Sequence, residues 1–153
     1  MGLSVTVQTV SPRLIAAVRR KVAVGDVGAT WRPALDQVWA FLRTHPGLCE
    51  GGHNIFLYHQ PARCGDPMEV DFGIEVVREF DPSGEVRPVK TPGGEVVVAT
   101  HVGPYDQLGQ AYDAIHAWAA ANDRALAGKS WEIYGDWQDD PAKLETTVMF
   151  LLV

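Results

Sequence analysis

The second half of this chain repeats the first, and the exception within the repeat is as telling as the match. Asp66–Val77 (DPMEVDFGIEVV) aligns with Ala142–Val153 (AKLETTVMFLLV), laying Glu69 on Glu145 and ending both blocks in an apolar run. At that offset of 76 residues Asn54–Tyr58 (NIFLY) lies over Ser130–Tyr134 (SWEIY), tyrosine on tyrosine. One further residue of offset brings the helical pattern of Leu35–Leu42 (LDQVWAFL) onto Tyr112–Ala119 (YDAIHAWA). Each copy reads as strand, helix, strand, strand. A unit of that size cannot cover both faces of its own sheet and helix, so two copies are expected to join. The expected fold is α+β: duplicated β-α-β-β units forming one antiparallel sheet with two long helices and a groove between them. Residues 1–153 are read as a single domain, with pseudo-repeats of about 3–80 and about 93–153. Within the duplication Phe56 of the first copy becomes Glu132 of the second, an apolar strand position turned into a carboxylate.

Bulk chemistry removes several classes. Apolar residues make up 46% and charged residues 21%, the balance of a globular chain that can bury a core. Nineteen acidic against thirteen basic side chains give a net charge of −6. The one basic cluster, Arg19-Arg20-Lys21, sits in a strand-like stretch and reads as a solvated edge, so no direct nucleic-acid binding is expected. No apolar run has the length of a membrane span, and Met1–Pro12 lacks the basic start and apolar stretch of a secretory signal. With only Cys49 and Cys64 there is no disulfide scaffold. A cytoplasmic location is the expectation.

Along the chain, Leu3–Gln8 alternates apolar and polar residues as a half-buried strand does, and Leu14–Val24 follows as a second strand. Thr30 is placed to cap a helix carrying Leu35, Val38, Trp39 and Leu42, which His45-Pro46-Gly47 ends. Ile55–His59 and Met68–Val77 are strands; in the latter Val70, Phe72, Ile74 and Val76 face one way, Asp71, Gly73, Glu75 and Val77 the other. In the second copy Glu95–His101 is a strand, and Gly103-Pro104-Tyr105 turns into a helix bearing Leu108, Ala111, Tyr112, Ile115, Trp118 and Ala119. Asn122-Asp123 and Gly128 mark its end. Trp131–Trp137 and Leu144–Val153 are the last two strands.

Glu132 draws attention because a carboxylate among aromatics on a strand is costly to bury without a partner. Strand alternation puts Glu132 and Tyr134 on one face and Trp131 and Ile133 on the other. The pattern alone leaves open whether the Glu132 face is wet or packed. Trp39 and Trp118, at helical spacing, read as core. Tyr105 at the helix mouth, with Tyr58 and Tyr134 at matching strand positions, read as walls around a planar or cationic ligand. Cys49, His53, His59 and Cys64 are residue types that bind zinc, but their spacing fits no zinc pattern, a strand separates the pairs, and the second copy keeps none of them. No metal or cofactor is therefore expected. His101 and His116 read as solvated or hydrogen-bonded structural side chains. Phosphate loops, dinucleotide fingerprints and nucleophile elbows are absent.

His101-Val102-Gly103-Pro104-Tyr105 turning into a helix, then Trp131-Glu132-Ile133-Tyr134, then Leu144-Glu145-Thr146-Thr147-Val148 resembles the GyrI-like small-molecule-binding family. That family includes the effector domains of AraC- and MerR-type multidrug regulators and stand-alone proteins similar to the gyrase inhibitory protein. The resemblance implies a domain that binds lipophilic, aromatic, often cationic compounds, with a pocket glutamate that matches Glu132. Without a helix-turn-helix before residue 12, the stand-alone form is expected. The ligand-binding set expected is Glu132, Tyr134, Tyr105, Tyr112, Trp39, Tyr58 and Phe56. A branch of the family hydrolyses cyclopropane-bearing alkylating natural products; membership there would make Glu132 the general base or water-orienting group. A third reading is a gyrase-modulating interaction protein. Oligomeric state is left open.

Overall fold

The computed structural model describes residues 3–23, 25–61, 63 and 65–153; Cys64 and the end of the expected Leu14–Val24 strand lie outside them. The strands and helices, in chain order, are β1 (Val5–Val10), β2 (Leu14–Val22), α1 (Val27–Arg43), β3 (Asn54–His59), β4 (Met68–Glu75), β5 (Arg87–Lys90), β6 (Gly94–Val102), α2 (Gly109–Ala121), β7 (Leu126–Tyr134) and β8 (Glu145–Leu152), with 3-10 turns at Tyr105–Gln107 and Pro141–Lys143. The fold is α+β, and no helix among the described residues is long and apolar enough to cross a membrane.

The chain divides into two compact units, Pro12–Thr91 and the residues up to Ser11 taken with Pro92–Val153. In the first the strand order is β3-β4-β2-β5 and in the second β7-β8-β6-β1, with the pairs inside each unit antiparallel. The repeat seen in sequence is a repeat of hydrogen-bond register. Asn54, Phe56 and Tyr58 face Ile74, Phe72 and Val70 across β3 and β4. Ser130, Glu132 and Tyr134 face Phe150, Val148 and Thr146 across β7 and β8, each position 76 residues on. The helices keep the other offset: α1 buries Ala34, Val38 and Leu42, and α2 buries their counterparts Ala111, Ile115 and Ala119. Residues every fourth position on a helix make one stripe, and that stripe is what each helix lays on its sheet.

Several boundaries differ from the sequence reading, each for a local reason. Strand β1, read as the start of the first copy, pairs with β6 of the second, Val5 opposite Ala99 through Val10 opposite Gly94. Alternation identifies a strand and its two faces but carries nothing about its neighbour. Strand β5 is additional; it pairs with β2 as β1 pairs with β6, so each copy carries one extra strand on its first strand. Its four residues, Arg87-Pro88-Val89-Lys90, are too short and too polar to show a period, and Pro88 is tolerated at a sheet edge. Thr30 is not a cap: α1 begins at Val27, and the Thr30 hydroxyl donates to the Asp26 carbonyl one turn back at 2.9 Å. Gly128 does not end α2 but lies inside β7 at φ +84°, where the register slips between Leu126 and Ser130. Trp137 falls beyond β7 and is 72% exposed.

In the Pro12–Thr91 unit the face under α1 is aromatic. Trp31 of α1 lies 6.3 Å from Phe56, which meets Phe72 edge-on at 4.9 Å. The opposite face carries an ionic network around Asp71, a fully buried residue on β4. Arg19 donates through Nε and Nη2 to its two oxygens at 2.9 Å each, and His59 Nε2 lies 2.7 Å from Oδ2. Arg19 also reaches Glu69 at 3.2 Å, and Arg87 stands 3.8 Å from Asp71. Burial pushes the Asp71 carboxyl up, but hydrogen bonds from His59 and Arg19, with the attraction of both groups, outweigh it and hold its pKa at about 2.

A buried carboxylate held by tyrosines as candidate ligand site

Glu132 lies near the end of β7, and the alternation of that strand sends Trp131 into the core on the other face, where it is 1% exposed. Glu132 itself is only 4% exposed, so the wet-face alternative is excluded. A carboxylate so placed costs several kcal/mol in lost hydration unless its oxygens find donors, by the general estimate of about 2–7 kcal/mol for even a neutral polar group. Two phenols supply them. Tyr112, in the first turns of α2, donates to Oε2, and Tyr134, two residues along the same strand and so on the same face, donates to Oε1 at 2.5 Å.

Other aromatics hold those phenols in place. The Tyr112 ring stands edge-on to Phe150 of β8 at 5.6 Å, and Tyr105 of the 3-10 turn meets Tyr134 edge-on, also at 5.6 Å. Partial burial pushes the Tyr105 phenol above its usual pKa, so at neutral pH it is a neutral donor. The turn that presents Tyr105 depends on Gly103, whose φ of +143° L side chains rarely adopt. A Cβ there would also stand 3.3 Å from His101 Nε2. Gly103→Ala is therefore expected to destabilise the fold by about 1–3 kcal/mol, read by chemical denaturation.

The structure thus brings Glu132, Tyr134, Tyr105 and Tyr112 together within one unit. The other three residues named from sequence belong to the Pro12–Thr91 unit. There Phe56 and Tyr58 are buried at 5% and 6% exposure, whereas Trp39, read as core, is 41% exposed on α1. In the repeat, Leu35, Phe56 and Tyr58 are the counterparts of Tyr112, Glu132 and Tyr134. Two apolar positions, not one, have become polar together, and the second supplies a donor to the first. Tyr112→Phe is expected to cost about 1–3 kcal/mol of stability, because it takes a donor away from a buried carboxylate oxygen; urea unfolding would measure it.

Sequence reasoning did not place His101, Ser130 and Thr146 beside this cluster. All are buried, at 3%, 0% and 0% exposure. His101 Nε2 meets the Pro104 carbonyl at 3.0 Å, so the reading of a hydrogen-bonded histidine holds. A signal was available: His101 follows Val97 and Ala99 at the two-residue spacing of one strand face. His59, one of the four scattered zinc-type residues, is engaged with Asp71.

A duplicated α+β unit that encloses one tyrosine-held carboxylate has the make-up of a small-molecule-binding domain. The family model for the GyrI-like small molecule binding domain matches residues 3–152, and the chain belongs to that family. Among solved structures it is similar to the EcmrR C-terminal domain (23% identity, TM-score 0.83, covering 100% of this chain and 99% of the other). It is also similar to SAV2435 bound to tetraphenylphosphonium (12% identity, TM-score 0.72, coverage 98% and 94%). A third is a hydrolase encoded by lin2189 from Listeria innocua (13% identity, TM-score 0.65, coverage 98% and 92%). These likenesses are of fold. No curated protein matches the chain in sequence.

Proposed function

We propose that this domain binds a lipophilic aromatic cation, with Glu132 as the counter-charge and Tyr105, Tyr112 and Tyr134 as the surrounding aromatic wall. The observation that carries the reading is the pair of phenol donors on a buried carboxylate. Two phenols orient the oxygens and satisfy part of their hydrogen-bonding capacity while bringing no positive charge of their own. A cation arriving against the same carboxylate gains Coulomb attraction in a weakly screened environment, and the ring faces of tyrosine attract it further. An organic cation with aromatic surfaces loses little hydration on entering, which is why this ligand class fits better than a metal ion or a primary ammonium. The fold neighbour bound to tetraphenylphosphonium supports the choice of probe. Isothermal titration with tetraphenylphosphonium tests the proposal: saturable binding is expected, and its absence up to millimolar concentration would sink it.

Hydrolysis of a strained alkylating compound at the same carboxylate is the second reading, favoured by one feature. A phenol on each oxygen fixes the plane of the carboxylate, and a base that orients water must be held in one direction. Product analysis by mass spectrometry after incubation with a cyclopropane-bearing substrate is expected to separate the two readings. Turnover abolished by Glu132→Ala would favour hydrolysis; unchanged substrate would leave binding as the function.

A further inference from the structure

Three polar side chains on the α2-covered face of the second unit are buried, yet one polar atom of each has no hydrogen-bond partner among the described residues. They are His101 Nδ1, Ser130 Oγ and Thr146 Oγ1. Buried polar groups are almost always paired, and each orphan costs about 1–3 kcal/mol, so three on one face call for an explanation. Their register is informative. His101 of β6 faces Thr146 of β8, which faces Tyr134 of β7; in the next row of the same face Ala99 and Val148 lead to Glu132. His101 and Thr146 are thus neighbours across one ladder, and Thr146 lies diagonal to the carboxylate. Ser130 stands on the far side of Glu132, opposite Phe150.

The chemistry of the histidine follows from its one bond. A carbonyl oxygen only accepts, so the 3.0 Å contact with Pro104 puts the proton on Nε2. In the neutral ring Nδ1 is then an acceptor, and the hydroxyl of Thr146, its ladder neighbour, can donate or accept. The residue after Pro104 is Tyr105, which is 41% exposed and packs edge-on against Tyr134, the other neighbour of Thr146. We propose that His101 Nδ1 and Thr146 Oγ1 form a hydrogen-bonding subsite beside Glu132, which takes a hydroxyl or amine N–H carried by the cationic ligand. The ligand reaches the pair past the partly exposed Tyr105 ring, which stays in the aromatic wall. This specificity rests on the reading of Glu132 as the cation's partner and narrows it, from any aromatic cation to one that also bears a hydrogen-bond donor.

The experiment compares two probes, tetraphenylphosphonium and its analogue with one ring replaced by hydroxyphenyl. The wild-type domain is expected to bind the hydroxylated cation about fivefold to tenfold more tightly, the ratio for one hydrogen bond to an otherwise orphaned group. Thr146→Val and His101→Gln are expected to bring that ratio close to one while leaving tetraphenylphosphonium affinity within about twofold. The glutamine amide keeps a donor at the position of Nε2 for Pro104 but offers no acceptor at Nδ1. Ser130→Ala serves as the control and is expected to leave the ratio unchanged. Thr146→Val is also expected to raise Tm by about 2–4 °C, since it removes an orphaned hydroxyl. Equal affinity of the two probes for the wild type, a ratio untouched by both substitutions, or a fall in Tm for Thr146→Val would overturn the subsite. If neither probe binds, the reading of Glu132 falls and the subsite with it, an outcome distinct from two probes bound equally well.

Discussion

Glu132→Gln is expected to weaken tetraphenylphosphonium binding by about tenfold to a hundredfold, with each tenfold worth about 1.4 kcal/mol. The substitution keeps the shape, and an amide oxygen still accepts from one tyrosine, so what is removed is chiefly the charge. Tyr112 and Tyr134 then face a group with one acceptor and one donor in place of two acceptors. Because a buried charge has been neutralised, the protein itself is expected to be no less stable by more than about 1 kcal/mol. The effect on binding should therefore exceed the effect on folding. Titration calorimetry on the two proteins, alongside urea unfolding, separates these quantities. A neutral ligand of the same shape is expected to lose little or nothing, because only the Coulomb contribution distinguishes the variants.

Asp71→Ala is the substitution expected to damage folding most, by about 3–5 kcal/mol. Asp71 is fully buried, and removing it takes away the shared acceptor on which Arg19 and His59 converge from β2 and β3. The same carboxyl makes stability depend on pH in a defined direction. Its folded pKa of about 2 lies below the ordinary 3.8, so the folded state favours the ionised form. The stabilisation is present above the ordinary value and is lost as pH falls from about 4 to about 2, amounting to about 2 kcal/mol by linkage. Urea unfolding at about pH 6, 4 and 2 would measure it. In Asp71→Asn that component of the acid slope is expected to vanish. Both substitutions fall in the Pro12–Thr91 unit, which holds none of the residues assigned to the ligand, so they also serve to distinguish loss of fold from loss of binding.

The duplication made much of the fold readable. Apolar period and a constant offset gave the helix stripes and the β3–β4 and β7–β8 strands, and the ladder register repeats at the same offset. Pairing was harder to read. Nothing in Leu3–Gln8 says that its partner is the Gly94–Val102 strand rather than the neighbouring Leu14–Val22 strand, because both offer a similar apolar surface. The strand Arg87–Lys90 was hidden by its proline and charges. Of the site, the Phe56 to Glu132 exchange was legible as an anomaly, and Tyr134 followed from it by strand alternation. Tyr112 was visible only as one apolar-pattern match on a helix; that its hydroxyl reaches the carboxylate depends on helix placement. Trp39 failed for the opposite reason. It lies at helical spacing with buried residues, but at the margin of the stripe, where a large ring can stay half in water. The Asp71 network was read only as the polar face of a strand, since alternation does not distinguish a wet carboxylate from one locked by Arg19 and His59.

We propose that one half of a duplicated unit exchanged two apolar positions for a tyrosine-held carboxylate and, with it, a site for a cation. A crystal structure of this domain with tetraphenylphosphonium tests it most directly. The phosphonium centre is expected against Glu132, with its rings among Tyr105, Tyr112 and Tyr134. A cation bound elsewhere, with Glu132 still enclosed and untouched, would contradict it.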